Sequence, residues 1–172
     1  MKKSVLLLLP LLILLVDAGC KKKKNDPVDG GSFAFQGISY KLDKCFLYLE
    51  ETLQNSYEMD LWMLTNGIFY NPSSQSGSSG QGNYVNFMLH TTDLTLQEGD
   101  YYYSPNGEPM TWCESEFGID YNWDSGTGYF EWIENAIINV SKENGIYTFT
   151  FAGYTEGGNY LEGVYTGSVQ AP

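Results

Sequence analysis

One stretch of the chain spaces acidic and amide side chains as a bound cation would require. The segment DYNWDSGTGYFE places oxygen-bearing side chains at its first, third, fifth and twelfth positions, namely Asp120, Asn122, Asp124 and Glu131. Calcium takes six to eight oxygen ligands, and helix–loop–helix calcium sites use this spacing. The sequence therefore offers these four residues as a candidate calcium site.

Two features of this segment depart from a helix–loop–helix calcium site. Its sixth position, where a sharp turn requires glycine, is Ser125, and Gly126 follows one residue late. Neither flank has the apolar periodicity of a helix. Two alternatives stay open: an irregular calcium loop between strands, and a solvated hairpin loop whose Asp and Asn side chains cap their own backbone.

Aromatic residues around the same segment give a second candidate site, for ligand binding. They are Trp112, Trp123, Trp132 and Tyr129. Aromatic rings on the exterior of a β-sheet can stack on sugar rings, while neighbouring carboxylates and amides accept hydrogen bonds from hydroxyl groups. We therefore expect a binding site, with carbohydrate as the leading ligand class. The alternative is that these rings only cover the exterior of the sheet.

The sequence gives little support to catalysis. His90 is the only histidine and no G-x-S-x-G element accompanies it. The strand pattern turns His90 outward at a strand end, which predicts a surface residue. Zinc sites built from several His and Cys need more ligands than one histidine and two thiols. Carboxylate pairs such as Glu114 and Glu116 could cleave glycosidic bonds, but in so acidic a chain such pairs arise by chance. We expect a protein without enzymatic activity.

The charge of the chain narrows the classes of partner. From Gly31 onward three lysines stand against eighteen Asp and Glu residues, a net charge of −15, and the chain has no arginine. Such a surface repels phosphate backbones, which excludes nucleic-acid binding. Phosphate and carboxylate ligands usually require an arginine fork. Neutral sugars, cations, and basic or apolar partners stay open.

The N-terminus MKKSVLLLLPLLILLVDAGC is typical of an export signal. The apolar run from Val5 to Val16 is too short to cross a membrane, so residues 1–19 are expected to be a cleaved signal peptide. Ala18, Gly19 and Cys20 are similar to the lipobox of bacterial lipoproteins, in which the cysteine carries acyl chains such as palmitate. The alternative is a secreted protein cut near Ala18. Residues 20–31, polar and rich in lysine and glycine, are expected to form a flexible tether.

The other two cysteines, Cys45 and Cys113, form an even pair in an oxidising compartment. A disulfide is therefore permitted, with two buried thiols as the alternative.

Alternating apolar residues predict one all-β domain over residues 32–172. Tyr147, Phe149 and Phe151 alternate with threonines, and flanking turns predict a C-terminal three-stranded antiparallel meander. No segment carries a convincing helical stripe. We expect an antiparallel sandwich or barrel of about eight strands.

The whole plan resembles small surface lipoproteins of the Bacteroidetes type. The resemblance is carried by Cys20, the polar tether, and the strand-and-turn segments GGSFAFQGISYKL, LQEGDYYYSP, IINVSKENGIYTFTF and LEGVYTGSV. It implies a lipid-anchored protein of the bacterial outer membrane and cell envelope, facing either the periplasm or the cell surface. Two functions follow as expectations: a non-catalytic binding module, with glycan as the leading ligand, or a structural or assembly subunit of an envelope protein complex.

Overall fold

The computed structural model describes residues 29–72 and 77–171. The described residues do not include the predicted signal peptide (residues 1–19) or residues 20–28 of the predicted tether, which begins at Cys20. The folded part begins before the predicted boundary, because the first strand starts at Gly30 and Asp29 accepts hydrogen bonds from the backbone N–H (2.8 Å) and hydroxyl (2.6 Å) of Ser168.

The described residues confirm the predicted all-β class, with eleven strands and no helix. The strands are β1 (Gly30–Phe35), β2 (Ile38–Leu42), β3 (Lys44–Thr52), β4 (Tyr57–Leu64), β5 (Ile68–Phe69), β6 (Ser79–Thr91), β7 (Gly99–Tyr103), β8 (Thr111–Asn122), β9 (Thr127–Glu143), β10 (Ile146–Thr155) and β11 (Tyr160–Gly167). Nothing in residues 29–72 and 77–171 forms a helix that could span a membrane.

The strands join in one mostly antiparallel sheet, in the order β2-β1-β11-β10-β9-β7-β8-β6-β4-β3, with β5 paired to β6. The predicted C-terminal meander is confirmed by the antiparallel pairs β9–β10 and β10–β11. Strand β9 is long enough to pair with three neighbours: its first part pairs with β8, and its remainder pairs with β10 on one edge and β7 on the other.

The sheet curls so that its two halves share one core. Phe87 of β6 meets Phe151 of β10 with ring centroids 5.3 Å apart, although these strands lie far apart in the strand order. Beyond β11, Gln170 exchanges backbone hydrogen bonds with Cys45 and Leu47 of β3. The two halves of the sheet are therefore linked along β9 and again at the C-terminus.

Alternation, interrupted by register shifts in the β3–β4 and β6–β8 pairings, gives the strands of the β3–β4–β6–β8 half an inner and an outer face. In β4, Met59, Leu61 and Met63 are buried, whereas Asp60 and Trp62 point outward. The inner faces form the core, so any binding residue of this half must come from the outer face.

Candidate functional site

The predicted calcium loop forms a tight hairpin between β8 and β9. The side-chain oxygen of Asn122 accepts hydrogen bonds from the backbone N–H groups of Asp124 (3.0 Å) and Ser125 (3.1 Å). The Asp124 carboxylate accepts the N–H of Gly80 at 3.1 Å. Asp120 takes a left-handed backbone conformation at an irregularity in the β8–β9 pairing. Asn122 thus caps the backbone of the turn, as the hairpin alternative anticipated, whereas Asp124 binds the backbone of β6.

Glu131, the fourth predicted calcium ligand, lies well away from this turn. Glu131 pairs with Phe117 of β8. It lies four residues along β9 from Thr127, which is about 13 Å at the usual rise of a strand. It is 6% exposed. Its carboxylate accepts hydrogen bonds from the Thr155 hydroxyl (2.6 Å), the Gly157 N–H (2.7 Å) and the Tyr129 hydroxyl. The four predicted ligands therefore do not converge on one centre.

The Glu131 carboxyl is held in its ionised form by these contacts. Burial raises its pKa, but the hydrogen bonds from Thr155, Tyr129 and Gly157 outweigh burial and leave the pKa below its ordinary value. The charged carboxylate of Glu131 therefore connects β9 to the end of β10 and the turn after it through hydrogen bonds.

The predicted aromatic site is only partly formed. Trp112 is fully buried, packs on Phe87 and donates its indole N–H to the carbonyl of Ala136 at 3.0 Å. Its prediction as a ligand-binding residue is wrong, because its strand turns it inward. Tyr129 is 41% exposed, yet its ring packs on Phe35 and Phe117 at the edge of the core. Trp123 and Trp132, by contrast, pack with residues of the outer face.

A row of outward side chains crosses the sheet at one level. Trp62 of β4 pairs with Asn86 of β6, Asn86 with Glu116 of β8, and Glu116 with Trp132 of β9. We call these four residues the polar–aromatic row. Three strand spacings separate its two tryptophans, or about 14 Å. Trp132 is 42% exposed, so one end of the row is an open ring and its middle carries an amide and a carboxylate.

Hydrogen bonds hold the row in place. Asp60 accepts the indole N–H of Trp62 at 2.9 Å with one carboxylate oxygen and the amide N–H of Asn86 at 2.8 Å with the other. Glu116 accepts the hydroxyl hydrogen of Tyr84 at 3.1 Å. These hydrogen bonds fix the orientation of the Trp62 ring and of the Asn86 amide.

The carboxyl groups along the row carry raised pKa values. Burial is the main cause for both Asp60 and Glu116, and the negative charge of Glu114 adds to it, while the hydrogen bonds just described oppose the shift. The lysines of the described residues contact other groups: Lys41 pairs with Asp43, Lys44 donates to the carbonyl of Ile68, and Lys142 donates to Tyr147. Among the residues that the structure describes, these carboxyl groups have no cation partner, which marks this face as a candidate functional site.

An aromatic cluster borders the row on one side. Trp62 lies 5.3 Å from Tyr70, 5.5 Å from Tyr84 and 5.6 Å from Trp123, measured between ring centroids. Within the part of the chain that the structure describes, the buried indole N–H of Trp123 has no hydrogen-bond partner. Contacts with three aromatic rings therefore surround Trp62 at this end of the row.

A groove opens beside the other end, where β8 and β9 separate. Glu116 and Trp132 are the last pair before the two strands diverge and β7 enters between them. This fork groove has a volume of about 520 Å³ and is lined by Tyr103, Cys113, Glu114, Ser115, Trp132, Ile133 and Glu134. Its volume falls in the range of small-ligand sites. Its lining offers aromatic rings for stacking and glutamate carboxylates as hydrogen-bond acceptors.

Three potential metal ligands lie at the far end of the same outer face. Atoms of Glu58, His90 and Cys113 all lie within 4.8 Å of one another. His90 is 2% exposed, so the prediction of a surface histidine is wrong: Gly107 lies close over its ring, and Thr111 and Glu58 contact its nitrogens. Sequence reasoning missed Glu58 because only pairing in register brings it opposite His90.

Cys45 and Cys113 are free thiols rather than a disulfide, but only Cys45 is buried, and Cys113 is partly exposed. Cys45 points into the core and Cys113 lines the fork groove, so the sheet separates the two sulfurs. Burial is the main cause that raises the pKa of the Cys113 thiol to about 11, and the charge of Glu58 contributes.

Of the residues predicted for ligand binding, Trp123 and Trp132 lie on this surface. The outward direction of Asp60 and Trp62 was readable from the alternation in β4. Their alignment with Asn86, Glu116 and Trp132 depends on the register of β4, β6, β8 and β9.

Comparison of the chain with protein-family models, curated protein sequences and solved structures returned no match. Function must therefore be inferred from the geometry of the outer face.

Proposed function

We propose that this protein is a lipid-anchored envelope protein whose β-domain binds a neutral glycan on the outer face of β4, β6, β8 and β9, without catalysis. The observation that carries the proposal is the polar–aromatic row. It places an exposed indole, a carboxylate and an amide at one level of the sheet, beside a groove of small-ligand size.

The chemistry of the row suits a neutral sugar. The exposed ring of Trp132 offers a flat apolar surface for the C–H face of a sugar ring, and Glu116 accepts hydrogen bonds from its hydroxyl groups. Anionic ligands would be repelled by Glu114, Glu116 and Glu134. Lysine or arginine would be required to bind them, and the lysines of the described residues contact other groups.

The state of Asp60 supports binding rather than hydrolysis. Glycoside cleavage needs two carboxyl groups that reach the scissile bond. Both carboxylate oxygens of Asp60 are engaged, one by Trp62 and one by Asn86. Asp60 therefore orients its neighbours and has no carboxylate oxygen free to act on a substrate.

Binding should be tested on a glycan array and by calorimetry with the purified full chain. We expect Trp132→Ala to weaken binding about tenfold, or ~1.4 kcal/mol. The matched control is Tyr154→Ala, which removes a 54% exposed ring from β10. Affinity for a neutral sugar should change little with salt, whereas a cationic ligand would bind more weakly as salt screens the glutamates. Unchanged binding by Trp132→Ala, or equal loss in the control, would refute the proposed site.

The anchor has its own test. We expect Cys20→Ser to release the protein from membranes, because a single acylated cysteine with several chains supplies the attachment. Membrane association that is unchanged in this variant would remove the lipoprotein assignment without bearing on the glycan site.

A second candidate function, a structural or assembly subunit, is favoured by an apolar groove on the other half of the sheet. Ile137 and Val164 are 48% and 41% exposed there, above Ala152 and Gly163, in a groove of about 550 Å³. This function would be favoured if an envelope protein co-purified with the chain in stoichiometric amounts and the Ile137→Asp variant lost that partner. The chain should then show no affinity for sugars.

A further inference from the structure

The outer face brings together three metal-ligating side chains of different chemistry. Glu58, His90 and Cys113 come from the neighbouring strands β4, β6 and β8, and their ligand atoms lie within 4.8 Å of one another. Glu58 is directly opposite His90 in the ladder. The three donors are therefore held by the sheet itself and not by a loop.

The hydrogen bonds around His90 decide which of its ring nitrogens is free. The hydroxyl of Thr111 donates its single hydrogen to the carbonyl of Glu108, so its oxygen can only accept. The Nδ1 atom of His90 lies 3.0 Å from that oxygen and must carry the ring hydrogen. In the neutral ring, Nε2 then presents a lone pair, which is the arrangement in which a histidine binds a metal while its other nitrogen donates to a neighbour.

That lone pair points at a negative group. The Nε2 atom is 3.4 Å from a carboxylate oxygen of Glu58, and both side chains are largely shielded from solvent. Two electron-rich atoms at this separation repel each other unless a proton or a metal cation lies between them. The lysines of the described residues are bound elsewhere. A proton would need only His90 and Glu58, whereas the thiol of Cys113 at the same centre adds a ligand that favours a soft metal.

We propose that Glu58, His90 and Cys113 form a binding site for a divalent transition metal, with zinc the best match. Zinc accepts nitrogen, sulfur and oxygen ligands together, and three protein ligands leave one position open. Of the three residues, Cys113 also lines the fork groove. The thiol proton leaves to solvent as the zinc–sulfur bond forms. The zinc proposal does not rest on the proposed glycan binding, although Cys113 also lines the fork groove, and each proposal has its own test.

The test uses the full chain without a histidine tag, stripped of metal with a chelator and titrated with zinc chloride and, separately, cobalt chloride. We expect one zinc per chain, and a thiolate-to-cobalt charge-transfer band in the near-ultraviolet spectrum. Cys113→Ser should abolish the band and weaken zinc binding by more than about tenfold. Cys45→Ala, which removes the thiol that points into the core, should keep both signals.

The wild-type protein alone can overturn the inference, whatever the folding of the variants. Absence of stoichiometric zinc binding, or cobalt bound without the charge-transfer band, would show that these residues do not form the site. Loss of zinc in Cys45→Ala with retention in Cys113→Ser would overturn it as well. Zinc should also protect Cys113 from alkylation, and an unchanged rate of labelling would count against the site.

Discussion

Replacing Glu131 tests whether the buried carboxylate fastens β9 to the turn after β10. In Glu131→Ala the hydroxyl of Thr155, which is 1% exposed, and the N–H of Gly157 lose their acceptor. A buried donor left without a partner costs about 1–3 kcal/mol, and the half-buried Gly157 can recover part of its loss from water. We therefore expect a loss of about 3 kcal/mol in the free energy of unfolding.

The loss should be visible as a lower melting temperature. For a domain of this size, ~1 kcal/mol corresponds to about 3–4 °C, so Tm should fall by about 10 °C. The matched control is Glu134→Ala, an exposed glutamate three residues further along the same strand, which should shift Tm by less than about 2 °C. Differential scanning calorimetry and urea unfolding give the two measurements.

The pH dependence separates the charge of Glu131 from its shape. Because the folded-state pKa of Glu131 lies below its ordinary value, its contribution to stability is complete above the unfolded pKa of about 4.3 and is lost as pH falls through the folded pKa. Glu131→Gln keeps an acceptor oxygen for Thr155 and Gly157 but carries no charge. It should be less stable than the wild type at pH 7 by about 1–2 kcal/mol, and the difference should vanish in acid. If the difference in stability between Glu131→Gln and the wild type is the same at pH 7 and in acid, the charge of Glu131 does not contribute to stability.

Three further outcomes are expected. Glu116→Gln should raise stability near neutral pH in urea unfolding, because burial disfavours the charged form of Glu116. This gain should shrink as pH falls towards about 4.3, and a gain that grows in acid would contradict it. Gly163→Ala would place a methyl carbon 2.2 Å from the ring of Phe151, which should lower the free energy of unfolding by about 1–3 kcal/mol. Denaturation without reductant should expose Cys45 and Cys113 to alkylation, and labelling that requires a reductant would restore the disulfide alternative.

The strand content of this protein is a local property, and the sequence by itself determined it. Alternation at every second residue predicts which side chains share a face, and it needs only neighbouring positions along the chain. The meander of β9, β10 and β11 and the capping role of Asn122 were predictable for this reason. The count of strands was too low, since short strands such as β5 (Ile68–Phe69) leave too little pattern to recognise.

Tertiary structure alone decided which face became the core and which residues met across strands. Trp112 and Trp132 look alike in sequence, yet Trp112 faces the core that the two halves of the curled sheet share and Trp132 faces outward. The polar–aromatic row and the cluster of Glu58, His90 and Cys113 join residues from β4, β6, β8 and β9. Such groupings depend on pairing register, and a shift of one residue would turn every side chain of a strand to the opposite face.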